Sequence, residues 1–151
     1  MRALYRALIG VSVLFLAAQL IPVPRDNPSP RGAPDAPAAV ASILRRACYD
    51  CHSNQTRWPW YSAIAPVSWV VSRHVREARE RLNFSQWADY ASDPETAAQK
   101  LREIANLVQS GKMPPWYYRM MHQEARLDAG QSATLVRWAR ARAAAAEAAA
   151  Q

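Results

Sequence analysis

The sequence predicts an all-α domain that follows an N-terminal apolar segment, and three observations lead to this prediction. Apolar residues recur at helical spacing in several stretches beyond residue 37, and no alternation of apolar and polar residues is long enough for a strand. A proline-rich stretch separates them from an uncharged N-terminal run. The 151 residues should therefore form an anchor or signal segment at 1–24, a linker at 25–36, one domain at 37–142 and an Ala-rich tail at 143–151.

The N-terminal segment has features of both a membrane anchor and a signal peptide. Arg2 and Arg6 precede a run without charged residues that extends from Ala7 to Val23. Its length, about 17 residues, falls between the roughly 20 of a spanning helix and the roughly 7–15 of a signal peptide. Because Ala17-Ala18-Gln19 is a poor cleavage signal, we expect an uncleaved anchor with both arginines on the cytoplasmic side.

The linker at 25–36 is dense in proline, with Pro28, Pro30 and Pro34 inside it. A stretch with so many prolines and almost no large apolar residues cannot build a core, and it forms an extended, semi-rigid chain. We therefore expect it to act as a spacer that holds the domain off the bilayer.

The first two helices of the domain are predicted from proline positions and apolar spacing. The first takes Asp35 as its N-cap, with Pro37 in its first turn, and runs to the cysteine motif described below. The second begins near Pro66, and its apolar stripe consists of Val67, Val71, His74, Ala78 and Leu82.

Two further helices are predicted from their capping residues. Asp93 opens the third helix and Gly111 ends it, and between them lie Leu101, Ile104 and Val108. The fourth helix begins near Asp128, carries Leu135 and Trp138, and is expected to fade into the Ala-rich tail.

The motif with the clearest chemistry is Cys48-Tyr49-Asp50-Cys51-His52. Two cysteines and a following histidine at this spacing indicate c-type haem attachment. On a helix, all three side chains share one face, so the thiols of Cys48 and Cys51 can add to the two vinyl groups while His52 binds iron. We expect one covalent haem c, and attachment of this kind generally requires export to the periplasm in bacteria.

Other interpretations of this motif fit the sequence less well. A structural zinc site needs four ligands, and the chain has only two cysteines. A thioredoxin-like dithiol would lie in an alternating β/α pattern, which is absent from the sequence. A disulfide between Cys48 and Cys51 would close almost no loop and would stabilise the fold little.

Met113 is the first candidate for the sixth ligand of the iron. Pro114 and Pro115 follow it directly, and each restricts the backbone, so the loop can hold a thioether still. Methionine with histidine is a known axial pair in cytochromes c. His74, on the stripe of the second helix, would instead give bis-histidine ligation. The remaining possibilities are a five-coordinate iron or a ligand among Met120, Met121 and His122.

These motifs together resemble the bacterial haem-binding domain family related to class I cytochrome c. The resemblance rests on the motif extended through Ser53-Asn54, on Arg57-Trp58-Pro59-Trp60-Tyr61, on Leu82-Asn83-Phe84-Ser85 and on Met113-Pro114-Pro115. It covers nearly the whole chain after the linker. It implies a small cytochrome c-like helical domain that binds haem c, and it implies neither a partner nor a reaction.

Aromatic residues follow both halves of the expected site. Trp58, Trp60 and Tyr61 come after the cysteine motif, and a second cluster, Trp116-Tyr117-Tyr118, comes after Met113. Both clusters are candidates for packing against the haem macrocycle. Their indole and phenol groups are candidates for donating hydrogen bonds to the haem propionates. Arg57 is a weaker candidate for a propionate contact.

The net charge of +7 bears on the partners of the protein. A basic domain on the periplasmic side of the membrane would not meet nucleic acid, so we expect anionic headgroups or an acidic redox partner to be attracted instead. Four arginines crowd the second predicted helix, at positions Arg73, Arg76, Arg79 and Arg81. A solvated helix face is the simpler interpretation for each of them.

The functional expectation is an electron carrier rather than an enzyme. An inner-membrane-anchored domain that faces the periplasm and holds a six-coordinate iron would transfer single electrons. If the signal is cleaved, the domain would be soluble in the periplasm. The main alternative is a haem-based sensor or a peroxidase-like enzyme with an open sixth site. A third possibility is a structural or assembly protein in which the haem is incidental.

Overall fold

The computed structural model describes residues 1–150, and this part of the chain is helical without a strand, which confirms the predicted all-α class. The α-helices are α1 (Arg2–Ala18), α2 (Ala38–Ala47), α3 (Tyr49–His52), α4 (Val67–Arg81), α5 (Trp87–Ala91), α6 (Pro94–Gln109), α7 (Trp116–Met121) and α8 (Ala129–Ala149). Short 3-10 turns lie at Trp60–Ala63, Phe84–Gln86 and Gln123–Ala125.

The core is built on the pair formed by α6 and α8, against which α2 and the segment at Phe84 also pack. Small side chains lie where the two long helices meet, and Ala98, Ala105, Ala139 and Ala143 are all buried. Because interaxial distance depends on the side chains at the contact, alanines let the backbones of α6 and α8 approach closely. Leu44, Phe84 and Leu135 are the largest apolar side chains of this core that are fully buried.

The long helices α6 and α8 begin where the sequence predicted. The Asp93 side chain accepts a hydrogen bond from the Glu95 amide, and Gly111, with φ at +68°, follows the end of α6. Asp128 and Gln131 form a reciprocal capping box at the start of α8. Both caps satisfy amide donors that the first helical turn leaves without partners.

The first predicted helix starts later than expected, because Pro37 and not Asp35 occupies the N-cap of α2. The Asp35 carbonyl instead accepts a hydrogen bond from Trp138 Nε1, at 3.3 Å, and its carboxylate lies 3.5 Å from the Arg142 guanidinium. Asp35 thus ties the linker to α8. The helix also breaks at Cys48, whose φ is −127°, so it does not run into the motif unbroken.

Helix α4 starts after Pro66 as predicted, but its buried face is not the predicted apolar stripe. The buried residues are Ser68, Ser72 and Val75, while Val67 is exposed and His74 is half-buried. The reason is that α4 packs on polar backbone, and the Ser72 hydroxyl donates to the Pro24 carbonyl at 2.8 Å.

The linker is a strap against the domain, and the prediction of a spacer is wrong. The Asn27 side chain exchanges two hydrogen bonds with the backbone of Thr56, at 2.9 and 3.2 Å. Farther along, the Arg31 carbonyl accepts from the Ala88 amide at 3.1 Å. Polyproline-like backbone has no internal hydrogen bonds, so its polar groups are free to pair with neighbouring segments, as they do here.

The Ala-rich segment after residue 142 continues α8 as regular helix to Ala149. The prediction that the helix would fade there is wrong. Ala143 is buried and Ala146 packs against the core, while Glu147 forms an ion pair with Arg102 of α6. Contacts with α6 thus stabilise a helix that alanine already favours.

Helix α1 contains 17 residues, none of them buried. Over residues 1–150, no helix combines the length and the apolarity that crossing a membrane requires.

The strap generates a prediction at Gly32, whose φ of +93° disfavours any side chain and whose Cβ would lie 3.1 Å from the Ala88 amide nitrogen. We expect Gly32→Ala to lower the free energy of unfolding by about 2 kcal/mol, because strain and a clash with backbone add. Denaturant unfolding followed by circular dichroism measures this. Gly111→Ala is the matched control, since its φ is also positive but a Cβ there meets open space. Equal losses at both positions would show that the strap contact does not contribute.

Candidate functional site

The cysteine motif forms a single helical turn, as its spacing predicted. The amides of Cys51 and His52 both donate to the Cys48 carbonyl, at 3.2 and 2.9 Å, which closes the turn. Both cysteines are half-buried free thiols, so no disulfide joins them. Desolvation by burial raises the pKa of Cys48 to about 12 and that of Cys51 to about 11. A redox-active dithiol needs a lowered pKa, so these values argue against the thioredoxin-like interpretation.

The His52 ring is held in one tautomer by two backbone carbonyls. Its Nδ1 lies 3.1 Å from the Ala78 oxygen and 3.1 Å from the Leu82 oxygen, both at the C-terminal end of α4. Carbonyl oxygens only accept, so Nδ1 carries the proton and Nε2 carries the free lone pair. Burial lowers the pKa of His52, which favours the neutral ring. Metal-binding histidines commonly donate their second ring N–H to a carbonyl in this way.

A buried polar network fixes the loop that follows His52. The Asn54 amide donates to Ser85 Oγ at 3.0 Å, and Asn83 Nδ2 donates to Asn54 Oδ1 at 2.8 Å. Asn83 Oδ1 accepts in turn from the Ser85 amide. All three side chains are buried and hydrogen-bonded, so the network costs little desolvation and holds α3 against the end of α4.

Arg79 connects this loop to the strap. Its Nε donates to the Ser53 carbonyl at 2.8 Å, and its Nη2 donates to Asn27 Oδ1 and to Thr56 Oγ1, each at 2.9 Å. Of the four arginines predicted to crowd the second helix, Arg79 is therefore structural. Two others form i,i+4 pairs, Arg73 with Glu77 and Arg76 with Glu80.

Asp50, inside the motif, is the centre of a second polar cluster. Arg57 donates to its carboxylate from Nε and Nη2, at 3.1 and 2.9 Å, and the Tyr118 hydroxyl donates at 2.8 Å. Burial would raise the pKa of Asp50, but the hydrogen bonds from Arg57 and Tyr118 outweigh it and lower the pKa. For Tyr118, burial first and then the bond to Asp50 hold the pKa far above its usual range, so its hydroxyl remains a donor.

His122 belongs to the surroundings of this cluster. Its Nε2 lies 3.0 Å from the Tyr61 hydroxyl and its Nδ1 lies 3.4 Å from a Glu124 oxygen, while its ring stacks on Tyr118 at 4.1 Å. Both ring nitrogens already have partners, which makes His122 a poor candidate for an iron ligand. Met120 and Met121, the other minor candidates, are exposed.

The two main candidates for the sixth ligand lie in different surroundings. Met113 is half-buried and packs against the same hydrophobic core that Cys48 borders, and its amide donates to the Leu107 carbonyl at 3.1 Å. His74 is half-buried on α4, with its ring centre 5.7 Å from that of Tyr117. The structure brings Cys48, Cys51 and His52 together on one turn, and neither Met113 nor His74 forms a hydrogen bond or ring contact with them.

The residues around the motif fit the binding of a haem. Among described side chains, Trp58 Nε1 and Arg46 Nη2 are buried donors without a hydrogen-bond partner, and haem carboxylates are acceptors of the kind they lack. Trp60, Trp116 and Tyr117 are exposed aromatic residues. Arg57, predicted as a propionate contact, is instead engaged by Asp50. No motif in the sequence distinguishes Arg46, the other donor without a partner, from the neighbouring Arg45.

Within residues 1–150, no three His, Cys, Asp or Glu side chains cluster as the binding of a single metal ion would require. A haem does not need such convergence, because two thiols and an imidazole would bind separate atoms of one macrocycle.

The Asp50 cluster predicts a pH-dependent stability. Because the folded-state pKa of Asp50 lies below its ordinary value of 3.8, its carboxylate stabilises the fold above about pH 4, and this contribution is lost as pH falls through the lowered pKa. We expect Asp50→Asn to cost about 2–3 kcal/mol at pH 7 and progressively less below about pH 4. Urea unfolding at several pH values measures this.

The control is Asp89→Asn, which breaks the exposed pair with Arg31 and should cost less than about 1 kcal/mol. A constant difference between wild type and Asp50→Asn down to pH 2 would contradict the assigned direction of the pKa.

Comparisons with known proteins agree with the chemistry of this site. The family model described as "Haem-binding domain" matches residues 13–141. No curated protein and no solved structure matched the chain. The matched segment covers most of the chain and contains the cysteine motif, the Asp50 cluster and Met113. The chain therefore belongs to the haem-binding domain family.

Proposed function

We propose that the protein carries one covalent haem c on Cys48 and Cys51, with His52 as an axial ligand of the iron, and that it transfers single electrons. Haem binding follows from the family. The observation that supports the finer proposal is the His52 ring, whose Nδ1 proton is engaged by two carbonyls and whose Nε2 is left as a lone pair on the same helical turn as two free thiols.

The two cysteines would hold the cofactor as thioethers. Each S–H would add across one vinyl group, with sulfur bonding one carbon and the proton ending on the other. The raised pKa of both thiols keeps that proton on sulfur at neutral pH. When bound, the haem supplies a one-electron iron couple.

The surrounding residues would hold the two proposed iron ligands, His52 and Met113, in fixed positions. His52 cannot rotate without losing its two carbonyl contacts, and Phe84, fully buried, has its ring edge-on to the imidazole at 6.5 Å. Met113, between its amide bond to Leu107 and two prolines, is the proposed sixth ligand, which would raise the reduction potential. A rigid, six-coordinate site suits electron transfer because little has to reorganise.

We further propose that α1 attaches the protein to the inner membrane, with the domain on the periplasmic face. Helix α1 has no buried residue and exposes large apolar side chains along its length, including Leu8, Val13 and Leu16. Exposed apolar surface of this extent is otherwise costly in water. The redox partner would be an acidic protein, since the chain has a net charge of +7.

Covalent attachment predicts that haem remains with the polypeptide after acid denaturation and extraction with organic solvent. Replacing both Cys48 and Cys51 by Ser should make the haem extractable, because only the His52 bond to iron would remain. Haem-stained denaturing gels and intact mass measure this. Ser62→Ala, at a buried residue that carries no thiol, is the control and should retain haem. Extractable haem in the wild type would refute the c-type proposal while leaving the family assignment intact.

Ligation by Met113 predicts a low-spin ferric haem with a weak sulfur-to-iron absorption in the far red. Met113→Ala should abolish that band and let the reduced iron bind carbon monoxide, whereas His74→Ala should leave both unchanged. Met121→Ala is a matched control, since Met121 is exposed.

Two outcomes would overturn this ligand assignment. If the wild-type reduced protein already binds carbon monoxide readily, the sixth site is open, and a sensor or peroxidase-like function replaces electron transfer. If His74→Ala loses the low-spin spectrum while Met113→Ala keeps it, the iron has two histidine ligands.

A further inference from the structure

We propose that the start of α4 forms an apolar collar that seats the domain directly on the lipid bilayer. The collar consists of Ile64, Val67, Trp69 and Val70. This inference rests on the membrane attachment proposed for α1, and it replaces the expectation that the linker holds the domain away from the membrane.

The collar residues are large, apolar and exposed together. Ile64 exposes 39% of its surface, Val67 44%, Trp69 38% and Val70 45%. They lie within seven consecutive positions: Ile64 is two residues before Pro66, and the other three are in the first turn of α4. The spacing of apolar residues in the sequence predicted that Val67 belongs to the apolar stripe of this helix. In the structure, the core-facing side of this turn is taken by Ser68, and the apolar side chains point outward.

The C-terminal end of the apolar helix α1 is hydrogen-bonded to the backbone beside the collar. Gln19 lies at the C-terminal end of α1, and its Oε1 accepts from the Ala65 amide at 2.9 Å while its Nε2 lies 3.4 Å from the Ala65 carbonyl. Ala65 lies between the collar residues Ile64 and Val67. The Ser72 hydroxyl donates to the Pro24 carbonyl, and this bond holds the segment after α1 against α4. The exposed Leu20 and Ile21 therefore continue the apolar surface of α1 towards the collar.

The length of α1 explains why a lipid surface is the occupant that fits. Its 17 residues extend about 26 Å, less than the roughly 30 Å of a bilayer core, so α1 alone does not cross the bilayer. A short apolar segment is accommodated when flanking groups enter the interface. Tryptophan is enriched at that depth, and Trp69 provides one. From Leu8 to Ala18 the helix has no charged residue, so it lacks the polar face of a helix that lies along the surface.

The charges near the collar suit phospholipid headgroups. Arg25 borders a small cavity between the end of α1 and the domain, together with Gln19, Ser62 and Ser68. Arg73 follows the collar by one turn on α4, where its exposed side chain lies 3.7 Å from the also exposed Glu77. Guanidinium groups pair well with phosphate, and basic residues near the surface of an anionic membrane are attracted to it.

The test places single cysteines in the haem-loaded full chain, reconstituted at about one copy per vesicle in phosphatidylcholine and phosphatidylglycerol. Val70→Cys reports on the collar. Leu107→Cys is the matched control, because Leu107 has a comparable exposure of 38% on α6. Helix α6 contacts α4 through the Lys100 hydrogen bond to the Arg81 carbonyl, at the end of α4 opposite the collar. A charged, membrane-impermeant maleimide is added, and labelling is followed by mass spectrometry. We expect Val70→Cys to react at least about tenfold more slowly than Leu107→Cys, because the hydrated reagent is excluded from the apolar layer.

A second variant tests the same contact by removing it. Val67→Asp with Val70→Asp should raise the labelling of an Ile64→Cys reporter about tenfold, since two carboxylates disfavour burial in the interface. The visible spectrum should not change, which shows that the domain remains folded.

Each other outcome overturns a distinct claim. Equal labelling of Val70→Cys and Leu107→Cys would show that the domain stands off the bilayer. Protection that appears only when several copies share a vesicle would show that a second copy covers the collar. Failure of the protein to sediment with vesicles after an alkaline carbonate wash would refute the membrane attachment itself. Labelling at Cys48 or Cys51 would refute covalent haem attachment without bearing on the collar.

Discussion

The contact between His52 Nδ1 and the carbonyls of Ala78 and Leu82 is the interaction on which the rest of the site depends. It joins the short helix of the cysteine motif to the end of α4, and it sets which ring nitrogen is available. The buried bonds among Asn54, Asn83 and Ser85 lie directly beside it and keep the two segments in register. The imidazole therefore has one committed N–H and one free lone pair, which is the arrangement that the proposed role as an iron ligand requires.

The polar interior around this contact explains an unusual feature of the fold. Two serines and Arg79 face inward along α4 beside one buried aliphatic residue, Val75, because the helix packs on the strap and on the loop after His52. Arg79 satisfies carbonyl and amide oxygens on both of these segments at once. Such a network is specific, since each member needs its partner, and the apolar core between α6 and α8 is left to supply most of the hydrophobic stabilisation.

Local signals predicted the long helices and the cysteine turn well. Asp93 and Asp128 cap their own helices through neighbouring residues, and the spacing of Cys48, Cys51 and His52 requires only a single turn. The strap and the outward apolar face of α4 were missed because they depend on contacts between distant segments. The partners of His52 are backbone oxygens, which leave no trace in residue identity. The tyrosine that binds Asp50 is 68 positions away in the chain, and no local pattern joins the two.

The bond between Tyr118 and Asp50 has a consequence for how the cofactor is captured. The Met113 loop is held at its start by the amide bond to Leu107, and the helix that follows it is held by Tyr118 on the turn of the cysteine motif. A loop fastened at both ends has little conformational entropy left to lose. Folding alone therefore brings the chain segments that carry His52 and Met113 into fixed relation, so that a cofactor bound by both would not have to order the backbone between them.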